Sequence, residues 1–292
     1  MTFQEIWSPW LIGPFLWFAG IAGMGSVAYA LMKLFKVEEK LKELALVIFA
    51  STVLGLLFVV ADLSRPFNMP AAILSSLARG IFLAKLAQSW MAIGIVLLFL
   101  LLLLTLLLVL RHTVVSSLAK LTDAKWFLVL LALVGFLVTI YSGFLISSAP
   151  GVPFWNTALI PVLWVISATI CAIGILKILV HSEAVTHLLT RAGLSLDIGE
   201  LVALLAFVLT PLYSGPEAAR ESAWALVFGG LAPAFWLGVV VVGVLVPAAL
   251  GFLLLRKEDR RLGAAAALCG LLGALILRIL VIQAGVFEAL HL

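Results

Sequence analysis

The stretch Ser89–Leu110, SWMAIGIVLLFLLLLLTLLLVL, contains no charged residue and has the length that crosses a lipid bilayer as one helix. About 20 apolar residues are needed to span the hydrocarbon core of a membrane. Only a helix satisfies every backbone N–H and C=O group of such a single segment without water. The stretch therefore predicts a transmembrane helix and indicates the class of the whole protein.

Similar apolar runs occur along the whole chain of 292 residues, of which 65% are hydrophobic and 11% are charged. Soluble domains typically contain about 25% charged residues. We therefore predict an all-α integral membrane protein, a single domain over 1–292 with eight transmembrane helices. The predicted spans are 10–35, 43–62, 89–110, 125–147, 157–180, 197–213, 223–255 and 262–286.

The distribution of Lys and Arg predicts the orientation in the membrane. Most of the 18 basic residues follow spans 1, 3, 5 and 7, namely Lys33, Lys36, Lys40, Lys42, Arg111, Lys120, Lys125, Lys177, Arg191, Arg256, Lys257, Arg260 and Arg261. Because basic loops stay in the cytoplasm, both the N-terminus and the C-terminus are predicted to lie outside, in a multi-pass protein of the cytoplasmic membrane. The net charge of +4 then needs no nucleic acid to explain it.

Two connections predicted on the outer side differ from ordinary polar loops. Residues 68–88 have apolar side chains at helical spacing with Arg79 and Lys85 opposite them, which is typical of an interfacial helix. The segment Tyr141–Pro161, YSGFLISSAPGVPFWNTALIP, contains no charged residue and no histidine. We expect it to be buried against a partner subunit, an apolar ligand or the membrane interface.

Sequence motifs for a bound metal or nucleotide are absent from the chain. The four histidines lie near span ends or in connections, so no pair is placed to ligate a haem, and no CxxC, GxxxxGK[ST], GxGxxG or HExxH motif occurs. Cys171 and Cys269 lie within apolar spans and are predicted to be small buried side chains. The glycine-rich stretch Gly20–Gly25 lies inside span 1, where helix packing is the favoured interpretation.

Polar residues at membrane depth are the first candidates for function because their burial is costly. At about 1.5 Å per residue, Arg278 lies roughly 12 Å and Tyr141 roughly 9 Å below the outer ends of their spans. Asp62 ends span 2 on the same side, and Trp155, Asn156 and Gln283 are near this level. The group is predicted to form an outer quinone pocket, with Tyr141 bonded to a carbonyl oxygen and Asp62 exchanging its proton.

Each of these residues also has a structural interpretation. Arg278 and Asp62 could form an ion pair between two helices, Tyr141 could belong to the interfacial aromatic belt, and Asp62 could pair with Arg65 before a proline stop. Asp197 and Glu200 could begin a proton pathway towards the outer pocket. Their alternative is a capping box at the start of span 6.

An ordered set of segments resembles the NrfD/PsrC-like integral membrane subunits of polysulfide, tetrathionate and related reductases. The matching segments are FLWFAGIAGMGS in span 1, DLSRP after span 2, SWMAIG opening span 3, YSGFLISSAPGVPFWNTALIPVLWVISA, GGLAPAFWLGVVVVGVLVP and LRILVIQAG. The resemblance implies a quinone-binding role for Tyr141, Asp62 and Arg278. The chain departs from some members at Trp10–Pro14, where they have a polar residue near the quinone.

The resemblance also implies partners and a cofactor. Such subunits carry no haem and no iron-sulfur cluster, bind menaquinone or ubiquinone, and exchange electrons with a ferredoxin-like iron-sulfur subunit. That subunit serves a catalytic subunit that holds molybdopterin or another cofactor. We therefore expect a respiratory membrane anchor that is not an enzyme alone, with coupled proton movement as an open question. A secondary transporter and a purely structural anchor are the alternatives.

Overall fold

The computed structural model describes residues 2–63, 68–81, 84, 88–256 and 259–288. Within these residues the regular structure is helical, apart from a single antiparallel bridge between Phe3 and Val286. In this described part of the chain, eight helices are long and apolar enough to cross a membrane, as predicted. The helices of more than four residues in the described chain are α1 Pro9–Leu34, α2 Leu41–Asp62, α3 Asn68–Ala78, α4 Trp90–Thr113, α5 Lys125–Ser147, α6 Leu159–Leu179, α7 Glu183–Ser214, α8 Glu217–Val227, α9 Ala234–Leu254, whose first part Ala234–Leu245 is π-helical, and α10 Arg260–Gln283.

The boundaries of several helices follow from local chemistry. The Ser89 hydroxyl accepts a hydrogen bond from the Ala92 amide and so caps α4. The Asp259 carboxylate caps α10 by accepting from the amides of Arg261 and Leu262. Pro9 stands in the first turn of α1, where its missing N–H group costs nothing.

Helix α1 lies at the centre of the bundle and packs against α2, α5, α6 and α10. Its glycines permit these close approaches, because a Cβ atom on Gly23 would overlap Thr139 and Gly135 of α5. A Cβ atom on Gly20 would lie 3.1 Å from the Ala168 side chain of α6. The helix-packing interpretation of Gly20–Gly25 is therefore confirmed.

Two of the predicted spans differ from the helices of the structure. Predicted span 6 begins at residue 197, but α7 starts at Glu183 and places Asp197 in its interior, so the capping-box interpretation of Asp197 and Glu200 is wrong. Predicted span 7, residues 223–255, divides into α8 and α9 around a turn that contains Gly229. The error at span 6 arises because charged residues commonly mark helix ends, whereas packing between helices buries these two.

The loop between α5 and α6 packs against both ends of the chain, at what we call the terminal end of the bundle. Trp155 stacks on Trp7 with ring centroids 5.6 Å apart, and the Glu288 amide donates to the Gly151 carbonyl at 3.1 Å. Val152 and Phe154 are also buried. The loop therefore lacks charge at these positions because its own chain covers them, and burial there needs no partner.

The opposite end of the bundle, which we call the basic end, is joined by a network of ionic contacts. Asp123 bonds to Arg111 at 2.7 Å and to Lys33 at 3.3 Å, and Lys33 also donates to Glu38. The Lys33 hydrogen bond lowers the pKa of Glu38. The buried Tyr29 hydroxyl is 2.9 Å from the Nε2 atom of His112 in α4, and this contact joins α1 to α4. The basic end is the one predicted to face the cytoplasm.

Part of the predicted interfacial helix lies outside the described residues. Helix α3 covers Asn68–Ala78 and is followed by Gly80 with a positive φ of 66°, which favours glycine. The interfacial placement of 68–88 stays a prediction, as does the placement of both termini outside. Arg65 and Lys85 lie among the residues that the structure does not describe.

The crossing of α9 and α10 yields a prediction about stability. A Cβ atom on Gly243 would lie 2.7 Å from Gly273 Cα, so Gly243→Ala forces two helix backbones apart. We expect a loss of about 1–3 kcal/mol in the free energy of unfolding, measured by thermal unfolding in detergent. Gly199→Ala is the matched control because nothing lies within 4 Å of the position that its Cβ atom would take. Equal melting temperatures for both variants would contradict the close crossing.

Candidate functional site

A cavity of about 430 Å³ lies near the terminal end, between α1, α2, α4 and α5. Most of the described wall residues are apolar, and Tyr141, Asp62 and Asn68 are the polar ones among them. The other wall residues are Trp7, Ile12, Phe15, Leu56, Val59, Val60, Leu63, Met91, Ile95, Leu98, Phe99, Leu145 and Ile146. A volume of this size and a few polar groups on an apolar lining are typical of small-ligand sites.

Tyr141 is buried and packs directly on the backbone of α4. A Cβ atom added to Gly94 would overlap the Tyr141 phenol, so the absence of a side chain at Gly94 leaves room for the ring. Within the part of the chain that the structure describes, the Tyr141 hydroxyl makes no hydrogen bond. The phenol is therefore a free donor at the wall of an apolar cavity.

Asp62 provides the second polar group of the cavity and is half-buried at the end of α2. Its Oδ1 atom accepts a hydrogen bond from the Ser8 amide at 3.2 Å, which joins the end of α2 to the start of α1. The same side chain thus helps to hold the bundle and lines the cavity. The structure brings Asp62 and Tyr141 to the wall of one cavity.

Three of the predicted site residues lie away from this wall. Trp155 is behind Trp7, and its Nε1–H group donates to the Val281 carbonyl at 2.8 Å, so that donor is already used. Asn156 is exposed in the loop, and Gln283 is half-buried at the last turn of α10. None of the three is among the described residues that line the cavity.

Arg278 belongs to a separate polar group on α10, also outside the cavity wall. Its guanidinium donates to Ser167 Oγ at 2.7 Å, to the Ala274 carbonyl at 2.9 Å and to the Trp164 carbonyl at 3.4 Å. It also lies 5.1 Å from the centre of the Trp164 ring, a cation–π distance. Asp62 is not among its partners in the described chain, so the interpretation as an Arg278–Asp62 ion pair is wrong. Similar depth does not bring the two residues together, because their helices occupy different positions around α1.

Two acidic residues of α7 extend this polar group towards the basic end. Asp197 and Glu200 are both buried and stand one helical turn apart. Arg278 is close enough to Glu200 for an electrostatic interaction, and Lys177 of α6 is close enough to Asp197 for another. The sequence pattern marks Lys177 only as a basic residue after span 5, and nothing in it singles out the α6 partners of Arg278.

The arrangement of spans and polar groups matches a known family. The family model described as polysulphide reductase, NrfD, matches residues 1–288. The chain belongs to this family. The resemblance seen in the ordered sequence segments is thereby confirmed, and the chain is a multi-pass membrane protein.

Two relatives align with nearly the whole chain. Protein NrfD of Escherichia coli is 27% identical over 309 residues, covering 97% of this chain and 96% of the relative. The polysulfide reductase C chain of Wolinella succinogenes is 27% identical over 299 residues, covering 94% of this chain and 93% of the relative. The similarity therefore extends over nearly all of the chain and is not confined to one helix pair.

The contacts of Arg278 predict that substitutions at two buried serines will lower the free energy of unfolding by different amounts. Ser167→Ala removes an acceptor from a buried guanidinium, so we expect a loss of about 1.5–3 kcal/mol in the free energy of unfolding. Ser26→Ala is the matched control, since Ser26 is equally buried but donates only to the Ala22 carbonyl of its own helix. Thermal unfolding in detergent measures both, and a smaller effect at Ser167 than at Ser26 would contradict the assignment.

Proposed function

We propose that this member of the NrfD family is the quinone-reactive membrane anchor of a respiratory oxidoreductase complex. The proposal is carried by one observation, the meeting of Tyr141 and Asp62 in the wall of a single apolar cavity. Family membership supports it, as does the name of the Wolinella relative, which is one chain of a polysulfide reductase. The ligand class is a menaquinone or a ubiquinone.

The residues of the cavity fit a quinone. A bound quinone accepts or releases two electrons together with two protons. Tyr141 donates a hydrogen bond to one ring oxygen, because its hydroxyl has no other partner among the described residues. Asp62 lies at a helix end, where its carboxyl group exchanges a proton with water. The apolar walls of α2 and α4 hold the ring and exclude water from it.

The electrons require partners, because the sequence provides no motif for a redox centre in this chain. We propose a ferredoxin-like iron-sulfur subunit on the terminal end, connected to a catalytic subunit with molybdopterin or another cofactor. The terminal end faces outward from the cytoplasmic membrane in this proposal, as the basic residues of the other end predict. Helix α3 and the exposed side of the loop that contains Asn156 would then lie next to the partner. Trp155 would support the quinone site through its stack on Trp7, whereas Arg278 and Gln283 would act from outside the cavity wall.

Substitutions at the cavity test the quinone site. Tyr141→Phe keeps the ring and removes the donor, and Gly94→Ala places a methyl group where the phenol lies. The loss of one hydrogen bond worth about 1.4 kcal/mol corresponds to roughly tenfold weaker quinone binding. Binding is measured on the purified full chain in detergent by quenching of tryptophan fluorescence, since Trp7 lines the cavity. Quinol-linked electron transfer is then measured in the native complex.

Tyr213→Phe is the matched control because that side chain is 83% exposed and lies outside the cavity. Asp62→Asn should change the affinity for quinone by no more than a few-fold, because the amide oxygen can still accept the hydrogen bond from Ser8. It should slow electron transfer, because an amide has no carboxyl proton to exchange. Normal binding and turnover in both Tyr141→Phe and Gly94→Ala would reject the site. A chain that binds no quinone at all would favour a purely structural anchor.

The acids of α7 support a second element of the proposal, a proton pathway through Asp197 and Glu200. Both acids are buried in the middle of a membrane-length helix, where such groups are costly unless they have a role. We expect Glu200→Gln to reduce the pH change per electron in sealed vesicles that contain the complex, with quinone binding unchanged. Glu217→Gln, at an exposed acid in the first turn of α8, is the control. An unchanged pH signal in Glu200→Gln would leave the quinone site standing and remove the pathway.

A further inference from the structure

A polar cavity of about 280 Å³ opens at the basic end, where α6 ends and α7 and α10 begin. Among the described residues, its walls carry charges of both signs, the basic Lys177 and Arg260 and the acidic Glu183 and Asp259. The remaining wall residues are Val180, His181, Thr186, His187, Thr190, Leu254 and Gly263. A lining with balanced charge does not select an anion or a metal cation, and it is well suited to water.

A second, much smaller cavity of about 20 Å³ lies deeper along the same helices. Asp197 and Lys177 are its charged wall residues, and Gly174, Gly193 and Gly251 leave space in its walls. One water molecule needs about 10–15 Å³ together with polar partners. The Asp197 Oδ1 atom is buried and has no hydrogen-bond partner among the described residues. A water molecule in this cavity would satisfy that oxygen.

Lys177 lies between the two cavities and lines both of them. A Cβ atom on Gly193 would lie 3.6 Å from its Nζ atom, so the ammonium group lies beside Gly193. The four-carbon side chain of a lysine has several rotatable bonds and can move its charge. Beyond Asp197 the polar residues continue one turn further to Glu200, which is within electrostatic reach of Arg278.

The polar residues around Arg278 point to water there as well. Arg278 Nε and Trp164 Nε1 are buried donors without a hydrogen-bond partner in the described chain. Buried donors are normally satisfied by protein or by ordered water. The deeper acids therefore lie in surroundings that still have unused hydrogen-bonding capacity.

We propose that the two cavities form a water inlet that enters from the basic end only, reaches Asp197, and is gated by the Lys177 side chain. Water fills the outer cavity, a single molecule occupies the inner one, and the ammonium group separates them. Movement of Lys177 joins the two cavities and connects Asp197 and Glu200 with bulk water. The inlet is a property of the chain itself, whereas its use for protons rests on the proposed function.

Cysteine labelling tests the inlet in the full chain within membrane vesicles of both orientations. The background is Cys171→Ala with Cys269→Ala, and the probe is a membrane-impermeant, negatively charged methanethiosulfonate. Single cysteines replace Thr190 in the outer cavity, Gly193 in the inner cavity, and Ala203, which is buried on the same helix beyond Glu200. Each cysteine is combined with Lys177, Lys177→Ala and Lys177→Arg, and labelling is followed by mass spectrometry.

We expect Thr190→Cys to react from the basic end alone, whatever residue is at position 177. Gly193→Cys should be protected with Lys177, since the inner cavity holds water but not the probe, and should react at least tenfold faster with Lys177→Ala. Lys177→Arg should keep that protection, and Ala203→Cys should stay unlabelled throughout. Lys177→Ser replaces Lys177→Ala if the latter fails to insert.

Four results would overturn the inlet. The first is an unreactive Thr190→Cys, and the second is labelling of Thr190→Cys from both sides of the membrane. The third is a labelling rate of Gly193→Cys that does not rise when Lys177 is replaced by Ala. The fourth is a rise in the labelling rate of Ala203→Cys as large as that of Gly193→Cys. The last result would show that the helix loosens rather than that a gate opens. Because no quinone takes part, loss of the quinone site by the tests above leaves these outcomes unaffected.

Discussion

The close packing of α1 against four other helices is the constraint on which the remaining structure depends. Without a hydrophobic driving force between helices inside a bilayer, association relies on van der Waals contact, and small residues permit the shortest distances. Gly23 lets α1 approach α5, and Gly20 lets it approach α6 and the Arg278 side chain. One central helix thus contributes both to the cavity of Tyr141 and Asp62 and to the surroundings of Arg278.

This position of α1 divides the polar chemistry of the protein into two regions. The cavity lies between α1, α2, α4 and α5, and Ile12 and Phe15 of α1 form part of its wall. Arg278, Glu200 and Asp197 lie among α6, α7 and α10. A quinone site and a proton route would then occupy different parts of the bundle, which makes it possible to change one by mutation without changing the other.

Buried charge in the second region is tolerated because it is shared among several partners. Arg278 has three hydrogen-bond acceptors and the face of Trp164, so its guanidinium does not depend on one carboxylate. The acids of α7 have cations on neighbouring helices, and the unused Asp197 oxygen adjoins space for water. An unpaired ion at this depth would cost several kcal/mol. The Asp197 oxygen is thus a buried polar atom of this region that the described protein groups leave unsatisfied.

The sequence by itself determined the class of the protein and the number of its spans, because the bilayer acts on each helix separately. A run such as Ser89–Leu110 must form a helix of membrane length whatever its neighbours are. It also indicated the position of Tyr141 near one end of its span, since the rise of a helix is constant. Only the tertiary structure decided which residues meet, because depth leaves the position of a helix around the bundle open. For that reason Asp62 lies with Tyr141 and not with Arg278, the uncharged loop is covered by its own chain ends, and Asp197 lies inside a helix that extends back to Glu183.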